Sequence, residues 1–361
     1  MGEKSSINLS APKWVVIQLL EQCNLRCKMC YEWGQEGTYH HKENLSQLDP
    51  KVVKRLILDL KDQKPYFGLF GGEPLMYPHI EEVLQLIRDY DCKVDIPTNG
   101  TLLEQRAEML IKTKPTRLWI SLDGPEEIND TQRGKGVYEK VTKGIHKLHE
   151  LREIAQSEYP KIGVTFIVTP TNYQYIEEFF LHSINLNEID HLSIEFQLFA
   201  TEEKYQCYKE VMATEFDVTE TPCGKGITWD INDFKQIDVP SVVAQITKVK
   251  EECEARGIYF IAYPKTITVE NLTHFYNGQW DQMKDKRKHC AFPWSYAEVN
   301  ARGNVTTCHT FYDLTHGNVN EQSILDIWRG ESVNRFRKYI KKSLLPICTA
   351  CSRYYSDPTK K

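Results

Sequence analysis

Six short apolar runs lie between residues 14 and 198: WVVIQLL, YFGLF, CKVDIP, RLWISL, IGVTFIV and HLSIEFQLF. Longer amphipathic stretches separate them, at 49–63, 78–90, 101–112, 138–156 and 172–186. This alternation constrains the fold more than any other feature of the chain. Strands of that length joined by helices form βα units, and βα units build a parallel sheet with right-handed crossovers. Six units are enough for an open sheet or for a partial barrel. Asp49 followed by Pro50 supplies an N-cap and a first helical residue for the first of the helices.

The polar motifs fall in one place on this frame. Cys23, Cys27 and Cys30 follow the first run, GGEP (71–74) the second and TNGT (98–101) the third. LDGP (122–125) follows the fourth and TPTN (169–172) the fifth. All five lie just past the C-terminal end of a strand, the rim where parallel α/β folds build their active sites. Turn chemistry accounts for part of this, since Gly, Pro, Asn and Asp punctuate any loop. Soft thiolates select zinc, copper(I) or iron–sulfur clusters. A structural zinc site is closed by four ligands, and C-x3-C-x2-C supplies three; His40 and His41 would complete one only through a loop closure. A [4Fe–4S] cubane held by three cysteines keeps one iron open to a reactant.

The run CNLRCKMC (23–30), followed by GGEP and by SLDGP (121–125), resembles the radical S-adenosylmethionine (radical SAM) superfamily. The resemblance implies an α/β fold with a partial (β/α)6 TIM-like barrel, and SAM chelating the open iron through its amino and carboxylate groups. It implies reductive cleavage of SAM to methionine and a 5′-deoxyadenosyl radical that takes a hydrogen atom from substrate. Carried over residue by residue, Met29 would pack near the adenine, and Gly71, Gly72 and Glu73 would receive the methionine amino group, with Pro74 shaping the turn. Asn99 resembles a ribose contact, Ser121 and Arg133 resemble residues that hold ribose and carboxylate, and Val168 would lie by the adenine. Glycines allow close backbone approach, and carbonyls with a carboxylate suit an ammonium. For Asn99, Ser121 and Val168, ordinary strand-end packing is the competing reading.

Cys290, Cys308, Cys348 and Cys351 form a second set, C-x17-C followed by C-x2-C, with Gly303 between the first two. The set resembles the SPASM/twitch extension of the same enzymes, in its single-cluster twitch form because no further cysteine follows in this chain. That implies an auxiliary [4Fe–4S] cluster with all four irons ligated, in a small C-terminal α+β domain, and hence two clusters in all. A four-cysteine zinc knuckle fits the spacing nearly as well. His289 and His309 flank ligands and read as surrounding or surface residues. The other cysteines, Cys92, Cys207 and Cys253, read as inert thiols.

The expected organisation is a barrel over 1–198, an unassigned bridge over 199–289 and the cluster domain over 290–361. The bridge holds a helix near 240–256, a short strand IYFIAY (258–263) whose aromatic residues read as core, and Cys223 in TPCGKG, read as a flexible loop. The last segment holds a hairpin-like pair of runs around 301–303 and a helix near 323–342. Cys223 is a candidate hydrogen-atom donor, and Glu195, sharing a strand face with Gln197, a candidate proton acceptor. The net charge of −5 argues against a protein built to grip nucleic acid. No run reaches the ~18 apolar residues of a membrane span, and no secretory h-region opens the chain, so a cytoplasmic address is expected. Met-Gly-x-x-x-Ser at residues 1–6 matches the loose myristoylation pattern. The roughly thirteen residues before the first strand leave no space for the leader-binding domain of peptide-modifying relatives, which tilts the expected substrate toward a small molecule over a peptide. Hydrogen abstraction followed by electron loss to the auxiliary cluster is the expected chemistry, with flavodoxin or ferredoxin as the external reductant. A redox-neutral epimerase or mutase using Cys223 and a zinc-binding adaptor are the rivals.

Overall fold

The computed structural model describes residues 11–34 and 37–355; the myristoylation pattern lies outside them. The six expected strands are β1 (Trp14–Gln18), β2 (Tyr66–Phe70), β3 (Val94–Thr98), β4 (Arg117–Ser121), β5 (Lys161–Val168) and β6 (His191–Phe196). They pair in parallel in sequence order. The sheet continues past both ends of this set. β7 (Tyr259–Tyr263), from the stretch read as a bridge, pairs in parallel with β6, and β8 (Tyr296–Val299) pairs in parallel with β1. β9 (Val305–Thr306) closes an antiparallel hairpin onto β8, giving the order β7-β6-β5-β4-β3-β2-β1-β8-β9.

Side chains alternate across a strand, so each strand presents one face to the helices and one to the concave side. Val15 and Ile17, Phe67 and Leu69, Leu118 and Ile120 bury in one continuous core under the helices. Their neighbours Tyr66, Asp95, Arg117 and Trp119 are half-buried on the opposite face. At the N-terminal ends of the strands Asp95 accepts from the Tyr66 hydroxyl and from Trp119 Nε1 (3.3 Å), and pairs with Arg117 at 3.2 Å. This network stops the lower end of the concave side and leaves the motif-bearing rim as its mouth.

The helices α1 (Pro50–Leu60), α2 (Ile80–Asp89), α3 (Leu103–Thr113), α4 (Glu126–Arg133) and α5 (Val137–Ile154) return the chain between strands. Asp49 caps α1 as expected, accepting from Lys51 N at 2.7 Å. The amphipathic stretch 172–186 is not one helix. It breaks into short turns with a π-helical piece at Phe179–Ser183, where the Ser183 hydroxyl donates to the Glu178 carbonyl five residues back. The stretch 323–342 is two helices meeting at Gly330.

A second core gathers Tyr208 and Met212 of the helix Glu202–Phe216, Cys223, Phe311, Phe336 and Ile347. The bridge therefore packs its first helix on the C-terminal segment and its strand on the barrel. Of the bridge aromatics read as core, Tyr259 is exposed and Phe260 and Tyr263 are half-buried. Arg353 spans the gap between the sheet's two flanks, its guanidinium 5.6 Å from the Trp14 ring and 4.6 Å from the Tyr263 ring.

Candidate active site

The three-cysteine loop leaves β1 and is gripped from three sides. Toward β2, Gly72 N donates to Leu20 O and Glu73 N to Gln22 O, both at 2.9 Å. Gly72 has to be glycine: a Cβ there would stand 2.1 Å from the Gln22 carbonyl oxygen. Toward β3, Asn99 Nδ2 donates to Asn24 Oδ1 at 2.8 Å, and toward α4 Lys28 N donates to Gln132 O at 3.0 Å. Each sulfur faces an N–H: Leu25 N at 3.5 Å from Cys23, Trp33 N at 3.3 Å from Cys30 and Arg133 Nη1 at 3.9 Å from Cys27. Such donors tune a metal-bound thiolate. In the protein alone burial pushes the thiols up, Cys23 to about 11 and Cys30 to about 12, so metal binding displaces protons.

Cys290, Cys308, Cys348 and Cys351 line a single cavity, together with Phe292 and Phe311. Phe311 N lies 3.4 Å from Cys308 Sγ, and the Thr310 hydroxyl donates to Cys351 Sγ at 3.0 Å. Among the described residues no three His, Cys, Asp or Glu side chains stand at single-ion spacing. A cubane takes each thiolate on a separate iron, so sulfurs spread around a cavity suit it. The two sulfur sites lie off opposite ends of β1. The first loop leaves its C-terminal end, while Trp14 at its N-terminal end packs on Phe292 and His309, beside Cys308.

Between them lies a buried polar set that the sequence did not disclose. Glu298 accepts from Gln18 Nε2 at 2.6 Å and from the Tyr296 hydroxyl, and Tyr39 donates to Gln18 Oε1 at 3.3 Å. The Tyr312 hydroxyl donates to Glu32 at 3.4 Å. Burial first, then the charge of Glu298, raises Glu32 to about 8; burial raises Glu298 to about 7. The only hint in the sequence is Glu298 alternating with apolar neighbours in SYAEVN.

A sequence profile of the radical SAM superfamily matches residues 17–182, and one of an iron–sulfur cluster-binding domain, SPASM, matches 290–352. The chain carries a radical SAM domain. Its second cysteine set lies in the cluster-binding domain, which replaces the zinc-knuckle reading, and the cofactors are SAM and [4Fe–4S] clusters. The chain is 25% identical over 362 residues, 94% of its own length and 87% of the relative's, to the tungsten-containing aldehyde ferredoxin oxidoreductase cofactor-modifying protein of Pyrococcus furiosus. It is 25% identical over 345 residues to the AdoMet-dependent heme synthase of Methanosarcina barkeri, covering 91% of this chain and 85% of that one. The crystal structure of Streptococcus suis SuiB bound to S-adenosylmethionine superposes with a TM-score of 0.64 at 17% identity, over 95% of this chain and 72% of that one. That likeness speaks for the fold.

In this radical SAM fold the residues expected to meet SAM divide by position. Gly71, Gly72, Glu73, Pro74, Asn99 and Arg133 surround the cysteine loop. Glu73 is fully buried and accepts from Leu75 N (3.0 Å), Thr98 Oγ1 (2.7 Å) and Asn99 N (2.7 Å), so it joins the β2 and β3 rims. Burial pushes its carboxyl up against those bonds. Arg133, at the end of α4, pairs with the buried Asp123 at 2.6 Å, and Asp123 also accepts from Ile167 N at 2.9 Å. Met29 is half-buried within the loop, and Ser121 is half-buried at the end of β4. The Val168 side chain is packed in the helix-facing core, so only its backbone reaches the rim. Glu195 is half-buried on β6, its carboxyl raised by burial and lowered by Arg353.

Cys223 corrects an expectation. It lies in a short helix, Pro222–Gly226, and is fully buried in the second core. Its thiol donates to Thr310 O at 3.3 Å, and Asp313 accepts from Cys223 N and Gly224 N at 2.8 and 3.0 Å. Of the remaining cysteines Cys253 is buried, Cys92 intermediate and Cys207 exposed.

Proposed function

We propose that the chain catalyses a two-electron oxidation of a cofactor precursor or peptide, removing first a hydrogen atom and then an electron from one substrate carbon. The observation that carries this is the closure of four cysteines on one cavity, because a fully ligated cluster suits electron transfer rather than substrate ligation. The cofactor-modifying and heme-synthesising descriptions of the two long relatives favour a cofactor precursor. When bound, the first cluster and SAM together supply a 5′-deoxyadenosyl radical, and the auxiliary cluster supplies an electron acceptor. The protein's own part is positional. Met29, Gly71–Pro74, Asn99, Ser121, Arg133 and the Val168 backbone hold SAM at the rim, the Tyr66–Asp95–Arg117 network stops the lower end, and Glu195 is the proposed proton acceptor on the concave face. The reductant is a flavodoxin or ferredoxin. Among the described residues no helix is long and apolar enough to cross a membrane.

The test is anaerobic reconstitution with SAM, dithionite and deuterated candidate substrates. Two cubanes give about eight irons per chain, and deuterium is expected in 5′-deoxyadenosine. Replacing Cys348 and Cys351 by Ala is expected to lower the iron to about four, leave 5′-deoxyadenosine formation in place and abolish product. Undiminished product from that variant refutes an oxidation that uses the second cluster. Cys223→Ala is expected to keep product formation; its loss, with the iron content intact, would favour a redox-neutral reaction with Cys223 as hydrogen donor.

A further inference from the structure

We infer that the basic rim of the C-terminal cysteine cavity is the docking surface for an acidic one-electron carrier protein. The inference rests on the oxidation proposed above, which needs an outlet for one electron per turnover.

Arg287, His289 and Arg353 line the cavity beside its four cysteines, so cationic and imidazole groups form its wall up to the surface. Residues 284–288 read KDKRK. The one acid in that run, Asp285, is buried and turned inward, accepting from Thr266 N at 2.9 Å and Asn271 Nδ2 at 3.3 Å. The helix Glu331–Lys342 adds its last residues, Lys341 and Lys342, which are exposed just ahead of Leu344, another lining residue. Lys341 Nζ stands 5.8 Å from the Trp294 ring, which places it next to the Phe292 side of the cavity. The run 335–342, RFRKYIKK, contains no acid.

The charges nearby divide into two groups. Lys284, Lys286 and Arg335 are held by Glu270, Asp281 and Asp217. Lys288, Lys338, Lys341 and Lys342 are exposed, and among the described residues none of them enters an ion pair. A chain of net charge −5 thus turns a positive face outward at the mouth of its second cluster site. A negatively charged partner is drawn to this face, and the one-electron outlet the oxidation needs makes that partner an electron carrier. Steering of this kind raises association rates by roughly 10- to 1,000-fold and fades with ionic strength. It acts over a Debye length of about 8 Å at 0.15 M salt; Arg287, His289 and Arg353 line the cavity itself, and Lys288 is the chain neighbour of two of them. The carrier's oxidised centre would take up the one electron per turnover that an auxiliary cluster held by the four cysteines would pass on, and no bond or proton is transferred.

The test measures binding rather than turnover. A fluorophore-labelled acidic two-cluster bacterial ferredoxin is titrated with the reconstituted, resting protein at 20 and 500 mM NaCl. The triple variant Lys288→Glu, Lys341→Glu, Lys342→Glu is expected to weaken binding at least tenfold at low salt, and the corresponding Gln variant by an intermediate factor. The difference should vanish at high salt. Iron content and dithionite-driven SAM cleavage report that the variants are folded. The control variant Lys147→Glu, Lys250→Glu, on distant helices, is expected to bind as the parent does. Binding unchanged within twofold by the triple reversal overturns the inference, as does displacement of the ferredoxin by a DNA 20-mer at lower concentration than by unlabelled ferredoxin. Because no substrate is present, these outcomes are independent of whether the Cys348/Cys351 variant supports or refutes the oxidation.

Discussion

At Gly72 the missing methyl group is what lets the cysteine loop reach its place, with the Gln22 and Glu21 carbonyl oxygens 2.1 and 2.6 Å from where a Cβ would stand. Both are backbone atoms, which cannot swing aside as a side-chain end can. Gly72→Ala is therefore expected to shift the loop, cost about 1–3 kcal/mol as overpacking does, and lower iron uptake by the first cluster. Gly257, with φ +72° and nothing within 4 Å of its Cβ position, is the comparison. Gly257→Ala should cost only the ~1–2 kcal/mol of a left-handed backbone and leave the iron count alone. Glu298 makes a different prediction. Its carboxyl rises from 4.5 to about 7 in the folded protein because it is buried. The folded state thus keeps a proton that the unfolded chain gives up. The stability this contributes is complete below pH ~4.5 and is lost as pH rises through about 7. Glu298→Gln removes the titration and keeps an acceptor for the Tyr296 hydroxyl. Denaturant midpoints at pH 5 and pH 8 should show the variant gaining on the parent at pH 8, by up to ~3 kcal/mol.

Elements whose signal is local and apolar could be read in advance, and those held by polar contacts over long distances could not. The strands β1 to β6 announced themselves through apolar runs between helices, and the Asp49 cap fixed the start of α1. Five rim motifs located the mouth, and the seven cysteines proposed to hold the clusters stood out by spacing. α4 stayed hidden because EEINDTQR has almost no apolar stripe; what it buries is Asn129, Gln132 and Arg133. Asp123 passed as a turn residue, although it is the buried partner of Arg133. The strand IYFIAY was visible, but nothing local says that its neighbour is β6, across more than sixty residues. The helix around Cys223 is the plainest case. CGKG reads as a loop, and only Asp313, ninety residues away, turns it into a buried helix by taking two of its first N–H groups and the Tyr208 hydroxyl at 3.0 Å. Asp313→Ala strands those donors, each costing ~1–3 kcal/mol when buried. The expected readout is selective: alkylation of Cys223, followed by peptide mass spectrometry, should speed up while that of the exposed Cys207 stays constant. Equal protection of Cys223 in the variant would show that apolar packing alone holds the helix.

Over the whole molecule, β1 does two jobs that tie the cluster domain to the barrel. It is a spacer, five residues and roughly 15 Å long at about 3.3 Å per residue, with one sulfur site off each end. It is also a shared strand, with β2 hydrogen-bonded along one side and β8 along the other. Side chains reinforce that seam. Arg302 of the β8–β9 turn donates to both oxygens of the buried Glu21 at 2.9 and 3.0 Å, Arg55 donates to the Val319 carbonyl, and Gln18 donates to Glu298. A profile match that ends at 182 and another that begins at 290 would suggest two separable modules. The sheet argues otherwise. Removing residues 290–361 would bare the β1 edge and uncover Val15 and Ile17, which pack in the same core as Ala297 and Val299. It would also leave Glu21 buried without its guanidinium. Long unprotected edges pair with other chains, and Glu21 would keep only Lys42 Nζ at 3.5 Å and Ser46 N at 2.9 Å as partners. A chain truncated after residue 289 is therefore expected to run as soluble aggregate or pellet, whereas Arg302→Ala in the full chain remains monodisperse with a lowered melting temperature. Size-exclusion chromatography with light scattering distinguishes the two. A monodisperse truncated chain that still binds four irons would show the barrel to be autonomous and β8 an addition to an already finished edge.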